Sequence, residues 1–505
     1  MRVLLLNPPF ETPKHAGLGV TFPLGLAYLA SALDKAGIDV VALDAALEGP
    51  REATQRGTFN YGLSPEQLKN RMEQIKPDIV GMGCFFSSRF PAVLQAARIV
   101  KSIDTKIITV TGGIHPTLMP EKVCAYPELD FAIIGEGEES FVRLLKEFDG
   151  SRDFDSVDGL AFKRDGQVVI NAKRLFIEDL DAIRSPSWDI FHLERYLDLH
   201  EERWGLGRGR YAPVITSRGC PYRCTFCSIH SVMGCAYRVH SPARVLHEIE
   251  TLVSRYDVDE ISFEDDNLTY DKDRFIQICK GIVEKKIGIK WNTPNGVHVG
   301  SLDEEALAWA KEAGCDSLNL GIESGDDHIR NHVIKKGLRH DKIYEVVSAC
   351  HRLGIKPNAY FVIAMPGETD SSINKTKKYI KDLRFNNLSL FIATPTPGTK
   401  FYDDCVAKGY IKPDLYEDEF IDFEAAIFVQ PSIETPGFDR ARVELWRYRL
   451  LEAYYESCLR GGFCRWLIKS PRHWLGMILT VALYKILGEK LSFSAIRKMQ
   501  KVIRG

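Results

Sequence analysis

Short apolar runs separated by stretches of helical spacing fill the first 150 residues. Val3–Leu6, Val40–Leu43, Ile79–Gly83, Lys106–Val110 and Phe131–Ile134 have strand length. Pro23–Lys35, Ser64–Lys76, Pro91–Lys101 and Glu139–Phe148, between them, repeat apolar residues with helical periodicity. Alternation at this pace predicts a doubly wound parallel sheet. Residues 151–205 break the rhythm. Leu160–Lys163 and Val168–Asn171 flank Asp165-Gly166 as a hairpin would, and an irregular, proline-marked linker follows.

From Pro213 the alternation resumes with larger units. Strands are expected at Pro213–Thr216, Glu260–Phe263, Lys290–Val297, Ser317–Ile322, Pro357–Ala364 and Leu388–Ala393. Helices fit Ala243–Tyr256, with Ser241 as N-cap and Pro242 in first position, then Lys272–Lys286, Asp303–Ala313, Asp341–Leu353 and Ser371–Leu383. Six such units are too few to close an eight-stranded barrel and predict an open, partial one. Residues 401–505 offer no convincing strand and read as mainly helical. The expected layout is 1–150, 151–205, 206–400 and 401–505.

At 505 residues the chain is long enough for about three domains. Its 45% apolar and 27% charged residues suit a soluble globular protein. Lys+Arg 66 against Asp+Glu 68 gives a net charge of −2, so the molecule is no electrostatic trap for nucleic acid. Met1-Arg2-Val3-Leu4-Leu5-Leu6 reaches Asn7-Pro8-Pro9 too soon for a signal peptide and reads as a buried strand. Trp474–Leu487 is interrupted by Lys485 and falls short of the ~20 residues of a spanning helix. A cytoplasmic protein is expected. In that compartment Cys84, Cys124, Cys235, Cys279, Cys315, Cys350, Cys405, Cys458 and Cys464 are expected as small core residues rather than disulfide partners.

Cys220, Cys224 and Cys227 are different because they are crowded, in the loop Gly219-Cys220-Pro221-Tyr222-Arg223-Cys224-Thr225-Phe226-Cys227 after the first barrel strand. Three thiolates so close can hold one inorganic centre. Structural zinc wants four ligands, with His230 or Cys235 as the nearest fourth. An iron–sulfur cube can leave one iron open, and three ligands without a paired half-site favour it over zinc or plain core. Cys235 is then a bystander. Chemistry in parallel barrels sits at the C-terminal strand ends. Those ends carry Glu264-Asp265-Asp266, Asn295, Glu323-Ser324, Met365-Pro366-Gly367-Glu368 and Thr394-Pro395-Thr396-Pro397-Gly398. One acid there is ordinarily a helix N-cap or solvated turn. Several on the rim that bears the thiol loop point to a site.

This combination resembles the radical S-adenosylmethionine (radical SAM) enzymes. Cys220-x-x-x-Cys224-x-x-Cys227, with Phe226 before the last cysteine, looks like the family's cluster motif. Phe263-Glu264-Asp265-Asp266-Asn267, Gly321-Ile322-Glu323-Ser324-Gly325, Met365-Pro366-Gly367-Glu368-Thr369 and Pro397-Gly398-Thr399 match further signatures in order, across roughly residues 206–400. The resemblance implies a partial (β/α)6 barrel with a 4Fe–4S cluster on Cys220, Cys224 and Cys227. Its open iron would be chelated by the amino and carboxylate groups of S-adenosylmethionine. One electron, from an external donor such as flavodoxin or ferredoxin, then cleaves the C–S bond and gives a 5′-deoxyadenosyl radical that abstracts a substrate hydrogen. By the same resemblance Glu264, Asp265 and Asp266 meet the methionine amino group, Glu323 and Ser324 the ribose or methionine end. Asn295 belongs to the same pocket and Phe226 packs beside the adenine. Glu368 follows a Pro-Gly turn and suits a structural role as well as a cofactor role.

The first domain resembles the Rossmann-like cobalamin-binding domain common in front of radical SAM barrels. The residues that carry the likeness are Asn7-Pro8-Pro9, Phe22-Pro23-Leu24-Gly25-Leu26-Ala27-Tyr28-Leu29-Ala30, Gly112-Gly113-Ile114-His115-Pro116 and Gly135-Glu136-Gly137-Glu138. Cobalamin contacts are implied for Phe22, Pro23, Gly112, Gly113, His115, Gly135, Gly137 and Glu138. Glycines at strand ends let backbone approach a large ligand. A dinucleotide fits less well, since Ser140 replaces the third glycine and Glu136, Glu138 and Glu139 would repel a pyrophosphate. No Asp-x-His-x-x-Gly occurs, so cobalt is expected without a histidine lower ligand, and His115 to shape its loop.

The activity implied is C-methylation of an unactivated carbon in a small-molecule or lipid-like substrate, with a non-methylating ring-forming or oxidative reaction as the alternative. A tRNA methylthiotransferase would need a third N-terminal cysteine beside Cys84 and Cys124 and a small C-terminal β-barrel, and no nucleic-acid partner is expected. A zinc-stabilised binding module is the non-enzymatic reading. From Gly461 onward nine basic residues face the single acid Glu489, with Phe493, Ile496, Met499 and Ile503 on one helical face and Trp466 and Trp474 nearby. This predicts either a helical lid on the barrel or a basic interfacial helix in peripheral membrane contact through 461–505.

Overall fold

The computed structural model describes residues 1–13, 20–54, 58–199, 209–411 and 431–460. Val3, Leu4, Leu5 and Leu6 are all without solvent exposure. A strand apolar on both faces belongs in the middle of a sheet covered on both sides. Arg2–Asn7 takes that place, in parallel register with Asp39–Asp44 (Val3 opposite Val40) and with Ile79–Gly83 (Val3 opposite Ile79). Ile108–Gly112 and Phe131–Ile133 continue the sheet. Counted along the chain, the five parallel strands lie in the order 2-1-3-4-5. The winding therefore reverses between Arg2–Asn7 and Ile79–Gly83, and a ligand crevice opens outside their C-terminal ends.

Local chemistry fixes the helix starts. Ser64 and Gln67 form a capping box ahead of Pro65–Ile75, and Ser241 Oγ accepts from the Arg244 amide ahead of Pro242–Tyr256. The hairpin that the sequence assigns to the linker joins the sheet instead. Leu160–Arg164 runs antiparallel to Phe131–Ile133, and Gln167–Ile170 forms the outer edge of seven strands. Leu160, Ala161 and Phe162 are buried, so this strand needed cover on both faces. Asp165 and Gly166 both have positive φ (50° and 76°), as a two-residue hairpin turn requires. A second antiparallel sheet, Phe10–Pro13, Thr58–Tyr61 and Arg51–Ala53, has no counterpart in the sequence reading.

The six expected barrel strands are present in parallel. Tyr211–Val214, Glu260–Phe263 and Lys290–Asn292 form one arc, and Ser317–Glu323, Lys356–Ile363 and Asn387–Ile392 the other. Bridges Trp291 to Cys315 and Val297 to Leu320 join the arcs. The interior is apolar, with Trp291 packed edge-on against Phe263 and Phe275. After the barrel come helices Lys400–Ala407 and Arg440–Arg460. The latter docks on helix Asp370–Leu383 through Trp446 Nε1 to Asp370 Oδ1 (2.7 Å). The basic tail segment 461–505 lies outside the described residues. No helix among the described residues is long and apolar enough to cross a membrane.

Candidate active site between the two strand-end faces

The thiol loop is held at its base by residues the sequence placed elsewhere. Ser217–Arg218 and Arg238–Val239 pair as a short antiparallel ribbon that closes the loop between them. Asp265 Oδ1 accepts from Thr216 Oγ1 (2.7 Å) and Ser217 Oγ (2.5 Å). Asp266 Oδ2 accepts from the Gly219 amide at 2.9 Å. Gly219 has φ +80°, and a Cβ there would lie 2.3 Å from Ala236 O, so the turn needs glycine. Arg274 spans both ends of the ribbon, donating to Thr216 O (2.7 Å) and His240 O (2.8 Å). Thr225 ties the loop to the barrel rim through Ile334 O (2.9 Å).

Within the loop, desolvation pushes the Cys224 thiol up to about 11 and the Cys227 thiol up to about 12, although Cys227 is exposed as a residue, and raises Cys220 as well. The three are close enough to act on one another electrostatically, so an unliganded loop holds thiols and a metal centre would have to draw off their protons. Three thiols on one short loop supply one ligand to each of three irons of a cube, and the donor set fits that centre. Cys235 is exposed rather than core. Cys464 lies outside the described residues. Cys84, Cys124, Cys279, Cys315, Cys350 and Cys405 are buried as expected.

Opposite the thiols, the fourth barrel strand breaks register between Gly321 and Glu323, and Glu323 takes φ +68°. A bulge with a left-handed non-glycine residue re-aims its side chain. Glu323 Oε1 meets the Lys336 ammonium at 2.7 Å. Lys336 is half-buried, near Cys224 and Cys227. Desolvation would lower its pKa, but the charges of Glu323 and Cys224 hold it above its ordinary value. Lys336 went unread in the sequence because thirteen residues of irregular spacing separate it from Glu323. Its only signal is the basic pair Lys335-Lys336 before Gly337.

Other expected SAM contacts divide. Glu264 stays at the rim, with its backbone oxygen accepting from Asn295 Nδ2 (2.8 Å). Asp265 and Asp266 grip the loop instead. Ser324 is fully buried and its Oγ accepts from the Asp326 amide at 3.1 Å, a turn contact. Phe226 packs in an apolar cluster with Val362, Met365 and Phe401. Glu368 Oε2 accepts from the Met365 amide (3.1 Å), and burial raises its carboxyl to about 8.

The cobalamin candidates divide in the same way. Phe22 is buried against Trp188 (5.1 Å) and Tyr196 (5.4 Å), and Pro23 precedes the first helix. A Cβ at Gly113 would stand 2.6 Å from Cys84 O, at Gly135 3.2 Å from Val232 O, and at Gly137 3.1 Å from Leu29 Cδ2. Close packing and positive φ already call for glycine at 113 and 135, while at 137 a Cβ would only press on the flexible end of Leu29. Gly112 is less constrained, with Ile133 Cβ at 3.6 Å. His115 Nδ1 pairs with Ser87 Oγ (2.9 Å), and burial pushes its imidazole down to about 4. Glu138 accepts from Arg218 Nη2 at 2.6 Å, and Glu136 from Arg218 Nη1 (3.0 Å) and Arg238 Nη1 (2.8 Å). At the crevice itself stands Phe85, 62% exposed on the loop after Ile79–Gly83, which the sequence reading passed over.

Gly135 against Val232, Gly398 against Leu118 (3.0 Å from a Cβ) and Arg218 on Glu138 bring the strand-end loops of both sheets face to face. A doubly wound domain whose loops oppose a thiol-bearing partial barrel defines a two-centre enzyme. Residues 214–380 match the Radical SAM superfamily and residues 17–145 the B12 binding domain. The chain is 32% identical over 415 residues to an uncharacterised methyltransferase of Pyrococcus horikoshii, covering 81% of this chain and 84% of that one. It is 29% identical over 446 residues to the cytidylyl-2-hydroxyethylphosphonate methyltransferase of Streptomyces wedmorensis (82% and 83%). It is also 29% identical over 452 residues to the anaerobic magnesium-protoporphyrin IX monomethyl ester cyclase of Rubrivivax gelatinosus (88% and 75%). Among solved structures, the radical S-adenosylmethionine methyltransferase TsrM of Kitasatospora setae shares the fold, at TM-score 0.63 and 20% identity over 81% and 75% of the two chains. The protein belongs to the radical SAM enzymes that carry a cobalamin-binding domain in front of the barrel.

Proposed function

We propose that the chain transfers a methyl group to an unactivated carbon of a small-molecule substrate. The observation that carries this reading is the opposition of the two strand-end faces, tied by Arg218 to Glu138 at 2.6 Å, with the thiol loop on one side. Two centres that must act on the same carbon need that proximity. The methyltransferase relatives support it. When bound, a 4Fe–4S cluster with S-adenosylmethionine supplies a hydrogen-abstracting radical, and cobalamin supplies a transferable methyl.

This chain's residues bind and orient those groups. Cys220, Cys224 and Cys227 ligate the cluster, while Asp265, Asp266, Arg274 and Thr225 hold their loop in place. Glu323 and Lys336 present a carboxylate and an ammonium side by side, complementary to the amino and carboxylate groups of a methionine moiety. Glu264, positioned through Asn295, lies on the same rim. Residues 1–150, extended by the hairpin to Ile170, hold cobalamin in the crevice between the first and third strands. The protein requires a one-electron donor of flavodoxin or ferredoxin type.

Anaerobic turnover with methyl-labelled S-adenosylmethionine and a low-potential reductant tests the proposal. Each turnover must release both S-adenosylhomocysteine and 5′-deoxyadenosine and place label in the product. The cyclase relative supports a second reading, a non-methylating reaction. Release of 5′-deoxyadenosine alone, with an unlabelled product, would establish it.

A further inference from the structure

Asn267 closes the loop Phe263-Glu264-Asp265-Asp266-Asn267 and is 2% exposed. Neither its Nδ2 nor its Oδ1 makes a well-formed hydrogen bond. A buried amide left unsatisfied costs about 1–3 kcal/mol, and native chains rarely keep one without a reason. Its neighbours on the same loop are fully engaged. Asp265 holds Thr216 and Ser217, and Asp266 holds the Gly219 amide. The next residue along that gripped strand is Cys220, and its sulfur lies within reach of the Asn267 amide. A metal-bound thiolate accepts hydrogen bonds and donates none, so the NH2 end of the amide is the one that suits it.

We propose that Asn267 donates an N–H···S hydrogen bond to the Cys220 thiolate and so raises the reduction potential of the cluster. The inference rests on the reading that the three thiolates hold that cluster. Adding one electron increases negative charge on the ligating sulfurs, so a donor bond stabilises the reduced form more than the oxidised one. Asn267 is then a positioning and tuning residue, and it touches neither substrate nor S-adenosylmethionine.

The test is a potentiometric titration of anaerobic holoenzyme, followed by the electron paramagnetic resonance of the reduced cluster. Asn267→Leu and Asn267→Ala both remove the donor, the first at nearly constant volume. Each should keep a full complement of iron and lower the midpoint. The expected loss is about tenfold in the reduction equilibrium, which for one electron is about 59 mV. Proton electron–nuclear double resonance on the unaltered enzyme should show a strongly coupled proton on the reduced cluster that disappears in D2O. That second measurement needs no variant to fold. An unshifted midpoint, or no such proton in the wild-type enzyme, overturns the assignment. A change in S-adenosylmethionine affinity at constant midpoint overturns it too, in favour of a ligand contact. If the wild-type chain with all three cysteines holds no iron–sulfur cluster, the functional reading itself fails, which separates the two outcomes.

Discussion

Arg218 donates from Nη2 to Glu138 Oε1 at 2.6 Å, across the junction between the doubly wound domain and the barrel. Its other arm reaches Glu136, and the residue that follows Arg218 begins the thiol loop. Arg218→Met would leave buried Glu138 without its arginine and Glu136 with Arg238 alone, at a cost of about 3–5 kcal/mol. The loop should loosen with it. A lowered melting temperature together with reduced iron per chain is the expected result. A loss of stability with full iron content would make the clamp purely architectural.

Lys336 and Glu323 should behave as a pair toward S-adenosylmethionine. Lys336→Met strands a buried carboxylate beside the binding position and is expected to weaken S-adenosylmethionine at least tenfold, about 1.4 kcal/mol. Glu323→Gln should weaken it less, since the amide still fits. Equilibrium dialysis with the cluster-loaded protein reads both. Unchanged binding in Lys336→Met would show the ammonium to be a counter-charge for the loop alone.

Ala at Cys220, Cys224 or Cys227 should abolish the brown colour and reductive cleavage of S-adenosylmethionine. Cys235→Ala should keep both, because Cys235 lies outside the crowded group. Iron analysis and 5′-deoxyadenosine release distinguish the four variants. Loss of iron from Cys235→Ala but not from Cys224→Ala would reverse the ligand assignment.

Asp44 gives the fold a pH dependence with a definite sign. Burial raises its carboxyl to about 6, although Tyr196, Asn7 and the Leu47 amide all donate to it. An unfolded Asp titrates near 3.9, so the fold prefers the protonated form. The stabilisation is complete below about 3.9 and is lost as pH rises through about 6, some 3 kcal/mol in all. The stability advantage of wild type over Asp44→Asn should therefore shrink between about pH 4 and pH 7. Denaturation free energies of the two proteins across that range decide it. A gap that stays constant would show that Asp44 titrates normally.

The basic tail carries its own test. If residues 461–505 contact a membrane, anionic vesicles should sediment the protein at low salt, and truncation after Ser470 should end the binding. A protein that stays in the supernatant at low salt rules the membrane contact out.

Sequence alone determined whatever depends on near neighbours in the chain. The period of apolar residues set the parallel strands of both domains and the longer helices between them, because burial on one face or two is written locally. Ser64, Ser241 and the Asp165-Gly166 turn act within a few residues, and so were legible. The three cysteines were legible for the same reason: ligands of one centre crowd together in sequence. Tertiary structure decided what each strand-end polar group faces. Asp265 and Asp266 read as cofactor acids, yet backbone amides and hydroxyls from residues 216–219 claim them first, since buried carboxylates bind the nearest donors. Glu138 read as a crevice residue, yet it and Glu136 pair with Arg218 and Arg238, some 80 to 102 positions away. Lys336 reached Glu323 only because a register shift turned that strand's last residue toward it. Charge pairing and close packing act through space and leave no period in the chain, so only the fold could assign them.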